Sequence, residues 1–139
     1  MIILGVDLGK TRTGIAVSDK SETFAFPREV IKEYSREKLY EKIASVARAE
    51  KAELIVLGLP KNMDGSEGFK AEESRKAKEA LEKLTGLPVE LYDERCTTVI
   101  AQKSLWDNGL DTKKGRKIVD TVAATVILED FLNFRKNKK

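Results

Sequence analysis

No histidine occurs among the 139 residues. A Ser-His-Asp triad, a Cys-His pair and histidine-ligated zinc are therefore excluded, and hydrolytic chemistry would have to rest on carboxylates, lysine or a hard metal ion. The single cysteine, Cys96, cannot close an internal bridge and reads as a reduced intracellular thiol rather than a nucleophile. No apolar run approaches the roughly 18 residues that span a bilayer, and no N-terminal stretch joins a basic region, an apolar run and a small-residue cleavage site. Membrane insertion and secretion are thus not expected, and a cytoplasmic location is. Surplus charge is lacking too: 26 Lys and Arg against 23 Asp and Glu leave only +3, so the placement of charges matters more than their sum. Very little Gln beside abundant Lys and Glu matches chains whose charge networks tolerate high temperature.

What is present fits one domain over residues 1–139, long enough to bury roughly two thirds of the surface of its unfolded form. Residues 2–8 (IILGVDL) and 13–18 (TGIAVS) read as a β-hairpin around the turn Gly9 to Arg12. A third strand over 23–31 would be an edge or bulged strand, because Pro27 has no ladder donor. Ser35 caps a helix whose apolar positions Leu39, Ile43, Val46 and Ala47 repeat at helical spacing to about Glu50. Leu54 to Leu57 reads as a strand covered on both faces and ended by Gly58. A helix over 68–84, a strand over 89–92, a helix from Thr97 or Thr98 to Asn108 and a last helix over 116–134 complete the order βββαβαβαα. That order implies an α/β fold, a mixed five-stranded sheet with helices on its faces. The basic end, 135–139, reads as a frayed, solvated tail.

Three carboxylates fall where local rules disfavour them. Asp7 lies inside an apolar strand, sharing the face of Ile3 and Gly5 while Leu4, Val6 and Leu8 take the other. A buried carboxylate needs a cation, hydrogen-bond donors or a metal; alternatively Asp7 caps the turn at Gly9. Glu94 follows a strand directly, at the carboxyl end where open α/β sheets place ligands, or else it belongs to an acidic turn paired with Arg95. Asp120 heads the helical stripe Ala123, Ala124, Ile127, Phe131 and Phe134 that should face the sheet. Its position near a helix N-terminus offers a structural alternative. Brought to one point, three carboxylates repel one another unless a hard cation compensates them, and an all-oxygen set suits Mg²⁺ or Mn²⁺. Two such ions about 4 Å apart would activate water and stabilise a leaving oxygen in phosphodiester hydrolysis.

The segments GVDLGKTRTGIAVSD (5–19), LIVLGLPKNMDGSEG (54–68), LYDERCTT (91–98) and VDTVAATVILEDFL (119–132) together resemble the YqgF/RuvX family. The resemblance covers nearly the whole chain. It implies an RNase H-like fold related to the RuvC resolvases, in a family described both as Holliday junction resolvases and as nucleases maturing the 5′ end of pre-16S ribosomal RNA. The family's acidic positions fall on Asp7, Glu94 and Asp120. The implied partners are nucleic acid, with pre-ribosomal RNA preferred over branched DNA on family grounds, and ribosomal precursor particles.

Around these residues, Lys10 and Arg12 in the hairpin turn can reach phosphates beside Asp7, and Arg95 could clamp one bidentately. The loop carrying Lys61 and Asn62 suits backbone-level contact with nucleic acid, or is a plain strand-to-helix connection. Lys113, Lys114, Arg116 and Lys117 would put positive charge at one rim, or form a solvated face. Trp106 and the phenylalanines of the last helix read as core. Two rival classes remain at this point. The DLG segment also resembles the phosphate loop of actin-like ATPases and sugar kinases, which close two related domains around a nucleotide where this chain has room for one. A non-catalytic module binding nucleic acid or the ribosome would keep the fold without cutting.

Overall fold

The computed structural model describes residues 1–59, 68–93 and 113–137, without the side chains of 69, 70, 113–121 and 137. β1 (Ile3–Asp7), β2 (Arg12–Ser18) and β3 (Ala25–Lys32) form the expected antiparallel meander. They are followed by α1 (Arg36–Ala49), β4 (Leu54–Leu59), α2 (Phe69–Thr85), β5 (Val89–Asp93) and α3 (Lys113–Asn137). The helix read at 97–108 lies outside the described residues. Strand order is β3-β2-β1-β4-β5. β1 pairs antiparallel with β2 and parallel with β4, which is parallel with β5, so β1 is the centre of a mixed sheet. No described helix is long and apolar enough to cross a membrane.

Local chemistry explains most boundaries. β1 is buried at all five positions, as a strand covered on both faces must be. β3 is an edge strand, and Ile15 pairs with Glu29 while Ala16 pairs with Pro27, so Arg28 is the extra residue of a bulge beside the proline. Ser35 caps α1 by accepting from the Lys38 amide at 3.4 Å. Gly86 ends α2 in the left-handed region at φ 71°, its N–H reaching the Glu82 carbonyl at 2.9 Å.

Three boundaries differ from expectation. α3 begins at Lys113 rather than 116, so Asp120 lies about two turns inside the helix and not near its N-terminus. β4 runs through Gly58 to Leu59, because the parallel ladder with β5 pairs Gly58 with Tyr92 and Leu59 with Asp93, and this pairing overrides the glycine's weak strand preference. α3 extends to Asn137, into the segment read as a solvated tail. Its last turn is held by Arg135, whose Nε donates to Glu22 at 2.9 Å and whose guanidinium lies over the Phe131 ring. Burial would raise the Glu22 carboxyl, but the Arg135 hydrogen bond and the N-terminal ammonium outweigh it and hold it below its ordinary value.

The two faces of the sheet bury different helices. Leu4, Val6, Ile15, Ile55 and Leu57 meet Leu39 and Ile43 of α1 and Ala77 and Leu81 of α2. Ile3, Ala16, Leu54 and Val56 meet Ala124, Leu128, Phe131 and Leu132 of α3. Leu128 and Leu132 thus take part of the inner stripe. Phe134, expected there, is 49% exposed and rests at the rim, its ring 6.0 Å from that of Tyr92. Asp130, on the same helix, is partly buried, which raises its carboxyl.

A Cβ on Gly5 would lie 2.9 Å from Leu128 Cβ, an atom fixed to the α3 backbone. Gly5→Ala should therefore cost about 1–3 kcal/mol in denaturant unfolding; an unchanged midpoint would show that α3 can stand off. In the β2–β3 turn, the Phe24 amide, the Ser21 hydroxyl and the Thr23 amide hold the Asp19 carboxyl at about 2, below its ordinary 3.8. A depressed carboxyl contributes fully above its unfolded value, so the order of this turn should be lost only as pH falls from 3.8 towards about 2. An NMR titration of Asp19 with a midpoint near 3.8 would contradict these contacts.

Candidate active site

The carboxyl end of β1 is where the sequence, the sheet and α3 meet. Asp7 closes the strand at 8% exposure. It shares the face of Ile3 and Gly5, hence the α3 side, as alternation requires. Directly across the β1–β2 ladder stands Gly14, which offers no side chain and leaves that flank of Asp7 to other groups. Val6 is level with Leu57 in β4, and Leu59, two residues on, is level with Asp93 in β5. The carboxyl ends of β1, β4 and β5 therefore lie at one edge of the sheet.

α3 runs back along β1. Ile3 clusters with Phe131 and Leu132, Gly5 faces Ala124 and Leu128, and Arg135 reaches Glu22, which also binds the N-terminal amine. The backbone of Asp120 belongs to α3, one turn before Ala124; its side chain lies outside the described residues, as do those of Lys113, Lys114, Arg116 and Lys117. Glu94 and Arg95 follow β5 immediately and also lie outside them, as do Lys61 and Asn62 after β4. Among the described residues no group of three carboxylate, histidine or cysteine side chains is close enough to share a metal. Asp7 itself fits a hard cation: it is an oxygen donor, nearly closed off from water, at the end of a rigid central strand.

The turn after Asp7 is clamped from α1, a feature that sequence reading missed. The Arg36 guanidinium donates to the Gly9 carbonyl at 3.0 Å and to the Lys10 carbonyl. Glu33 N–H bonds the Thr11 carbonyl at 3.0 Å, and Gly9 N–H reaches the hydroxyl of buried Thr13. Gly9 is required, since a Cβ there would fall 1.9 Å from the Arg12 carbonyl oxygen. Lys10, on this fixed loop, is exposed, and Arg12, which opens β2 directly after it, is half-buried. One signal could have marked Arg36: it opens α1, where the helix dipole disfavours a cation, so its charge must answer a need elsewhere.

Comparison with known proteins agrees with the fold. The family model described as RuvX, Holliday junction resolvase, matches residues 1–134. A protein of Protochlamydia amoebophila named "Putative pre-16S rRNA nuclease" is 41% identical over 140 residues, covering 96% of this chain and 93% of its own. One of Anaeromyxobacter with the same name is 42% identical over 135 residues, covering 97% and 98%. Among solved structures, T. thermophilus RuvC in complex with a Holliday junction substrate superposes with a TM-score of 0.62 at 17% identity, covering 99% of this chain and 96% of that one. At that identity the superposition speaks for the fold, which is RNase H-like. With a family model spanning almost its entire length, the chain belongs to the RuvX family.

Proposed function

We propose that this protein is a metal-dependent nuclease that hydrolyses phosphodiester bonds, and that its substrate is the 5′ end of pre-16S ribosomal RNA within ribosomal precursor particles in the cytoplasm. The observation that carries the reading is Asp7, a carboxylate 8% exposed at the end of the central strand, beside a clamped cationic turn. Backbone arithmetic supports convergence. From Gly5 to Asp7 a strand advances about 6.6 Å, and from Ala124 back to Asp120 a helix advances about 6 Å. Gly5 faces the turn from Ala124 to Leu128, so the backbone of Asp120 comes within about one helical turn of the level of Asp7. Glu94 follows the β5 end at the same edge. The nuclease names of the relatives support the activity, and their mention of pre-16S rRNA supports RNA over branched DNA.

In this reading Asp7, Glu94 and Asp120 hold Mg²⁺ or Mn²⁺, which when bound supplies activation of water and charge stabilisation at the phosphate. The chain's own groups bind and orient the nucleic acid. Lys10, Arg12 and Arg95 neutralise phosphates next to the carboxylates, the loop with Lys61 and Asn62 contacts the backbone, and Lys113, Lys114, Arg116 and Lys117 form a cationic rim. Clamping by Arg36 fixes Lys10 and Arg12 before the substrate arrives, so less ordering is left to binding.

Purified protein should cut an RNA carrying the pre-16S 5′ leader in Mg²⁺ or Mn²⁺ and not in EDTA. Asp7→Asn should lower the rate more than about 100-fold, beyond the range typical of residues outside a metal's direct ligands, while the fold is retained by circular dichroism. Cutting of a four-way DNA junction instead would move the substrate to branched DNA, and equal cutting by Asp7→Asn would remove the catalytic assignment. Arg36→Ala should cost about 1–2 kcal/mol of stability and raise KM more than it lowers kcat, with Arg36→Lys recovering part of the loss. An unchanged KM would mean that the clamp serves only the fold.

A further inference from the structure

Arg12 and Lys32 are direct partners across the β2–β3 ladder. Residues so placed share one face with Cβ atoms roughly 4.5–5.5 Å apart, and like charges there destabilise the sheet. The adjoining pair identifies the face. Thr13 stands opposite Ile31, and Ile31 belongs to the core under α1 and α2. Arg12 and Lys32 therefore project from the other face, the one that carries Gly14 and Asp7.

Neighbouring cations are matched. Arg28 pairs with Glu29 and Glu50, Lys42 with Glu33, and Arg36 with the turn carbonyls. Among the described residues, Lys10, Arg12 and Lys32 enter no ion pair. Lys32 is exposed on the outermost strand. Two cations held side by side on a sheet, with no anion between them among the described residues, are relieved by an anion from outside.

We propose that Arg12 and Lys32 form a phosphate rail, along which a polynucleotide strand passes from the Asp7 end of β1 outward over β2 and β3. This inference rests on the nuclease reading and adds a path to it. Asp7 is level with Gly14, Gly14 with Val30, and Lys32 lies two residues further along β3. Two strand spacings sideways and two residues lengthwise separate Asp7 from Lys32 by about 12 Å, the rise of roughly three to four stacked nucleotides. Lys32 thus meets a phosphate several nucleotides from the one at Asp7. It is a positioning residue and takes no part in bond breaking.

The test is equilibrium binding to a labelled single-stranded RNA and a labelled four-way DNA junction across a salt series. It uses the full chain carrying Asp7→Asn, so that cleavage does not compete. Lys32→Gln and Arg12→Gln are compared with Lys51→Gln, an exposed lysine between α1 and β4 at the opposite end of the sheet. Lys32→Gln is expected to weaken binding about 3–10-fold and to lower the salt slope by about 1. Lys32→Arg should restore both. In the otherwise wild-type chain, Lys32→Gln should leave kcat at saturating substrate unchanged and the melting temperature unchanged or slightly higher, because a like-charge pair has been removed. If Lys32→Gln behaves as Lys51→Gln while Arg12→Gln weakens binding, the rail is wrong and the nuclease reading stands. If the parent protein binds neither probe, both fall.

Discussion

Close approach of α3 to the central strand at Gly5 governs the geometry of this molecule. A helix normally rests about 10 Å from a sheet or from another helix on a cushion of side chains. Here the strand residue under the Ala124–Leu128 turn has no side chain, and the missing methyl would already touch Leu128 Cβ. The contact fixes both separation and register, since a helix cannot slide past a notch that admits one of its turns. The flanking residues, Ile3 against Phe131 and Leu132, lock the same register from the other side. Everything at the carboxyl end of β1 inherits its position from this contact, including the level at which the helix carries Asp120.

Charge at that end is arranged by a second constraint, the hairpin turn. Its carbonyls would otherwise face water, and its two cations would sample many positions. Arg36 reaches across from α1 and takes the Gly9 and Lys10 carbonyls together. The guanidinium sits at a helix N-terminus, which is electrostatically unfavourable, and Glu37 in the same turn moderates it. A fork of donors in one rigid plane suits the task better than a lysine would, because two acceptors on one tight turn must be met at once. Loop and helix thereby become one unit, and the acid on β1 is presented beside cations whose backbone is settled.

Most of the architecture is legible in the residues. Alternation placed Asp7 with Ile3 and Gly5, the proline marked β3 as a bulged edge, and Ser35 delimited its helix. The errors share one cause: tertiary partners overrode local preference. Gly58 continued a strand because the β5 ladder pairs it, and Arg135 extended α3 because Glu22 and Phe131 receive it. Of the site, Asp7 was legible because a carboxylate inside an apolar strand violates a rule. Arg36 and Lys32 were not, since each gains its meaning from a partner more than ten positions away in sequence, although the unfavourable place of Arg36 at a helix N-terminus was a signal available to be read.

The outer strand of the meander has a bearing on how two copies could associate. An edge strand with a free, regular row of amides and carbonyls invites a second sheet to continue it. On β3 that row is broken twice within two residues, by the missing donor of Pro27 and by the extra residue Arg28. A continuous sheet running through β3 into a symmetry mate is therefore disfavoured by the backbone itself. A pair of copies acting together on one branched substrate would have to meet through side chains or through another edge, leaving the β3 side of each open to solvent and to whatever strand of nucleic acid lies across it.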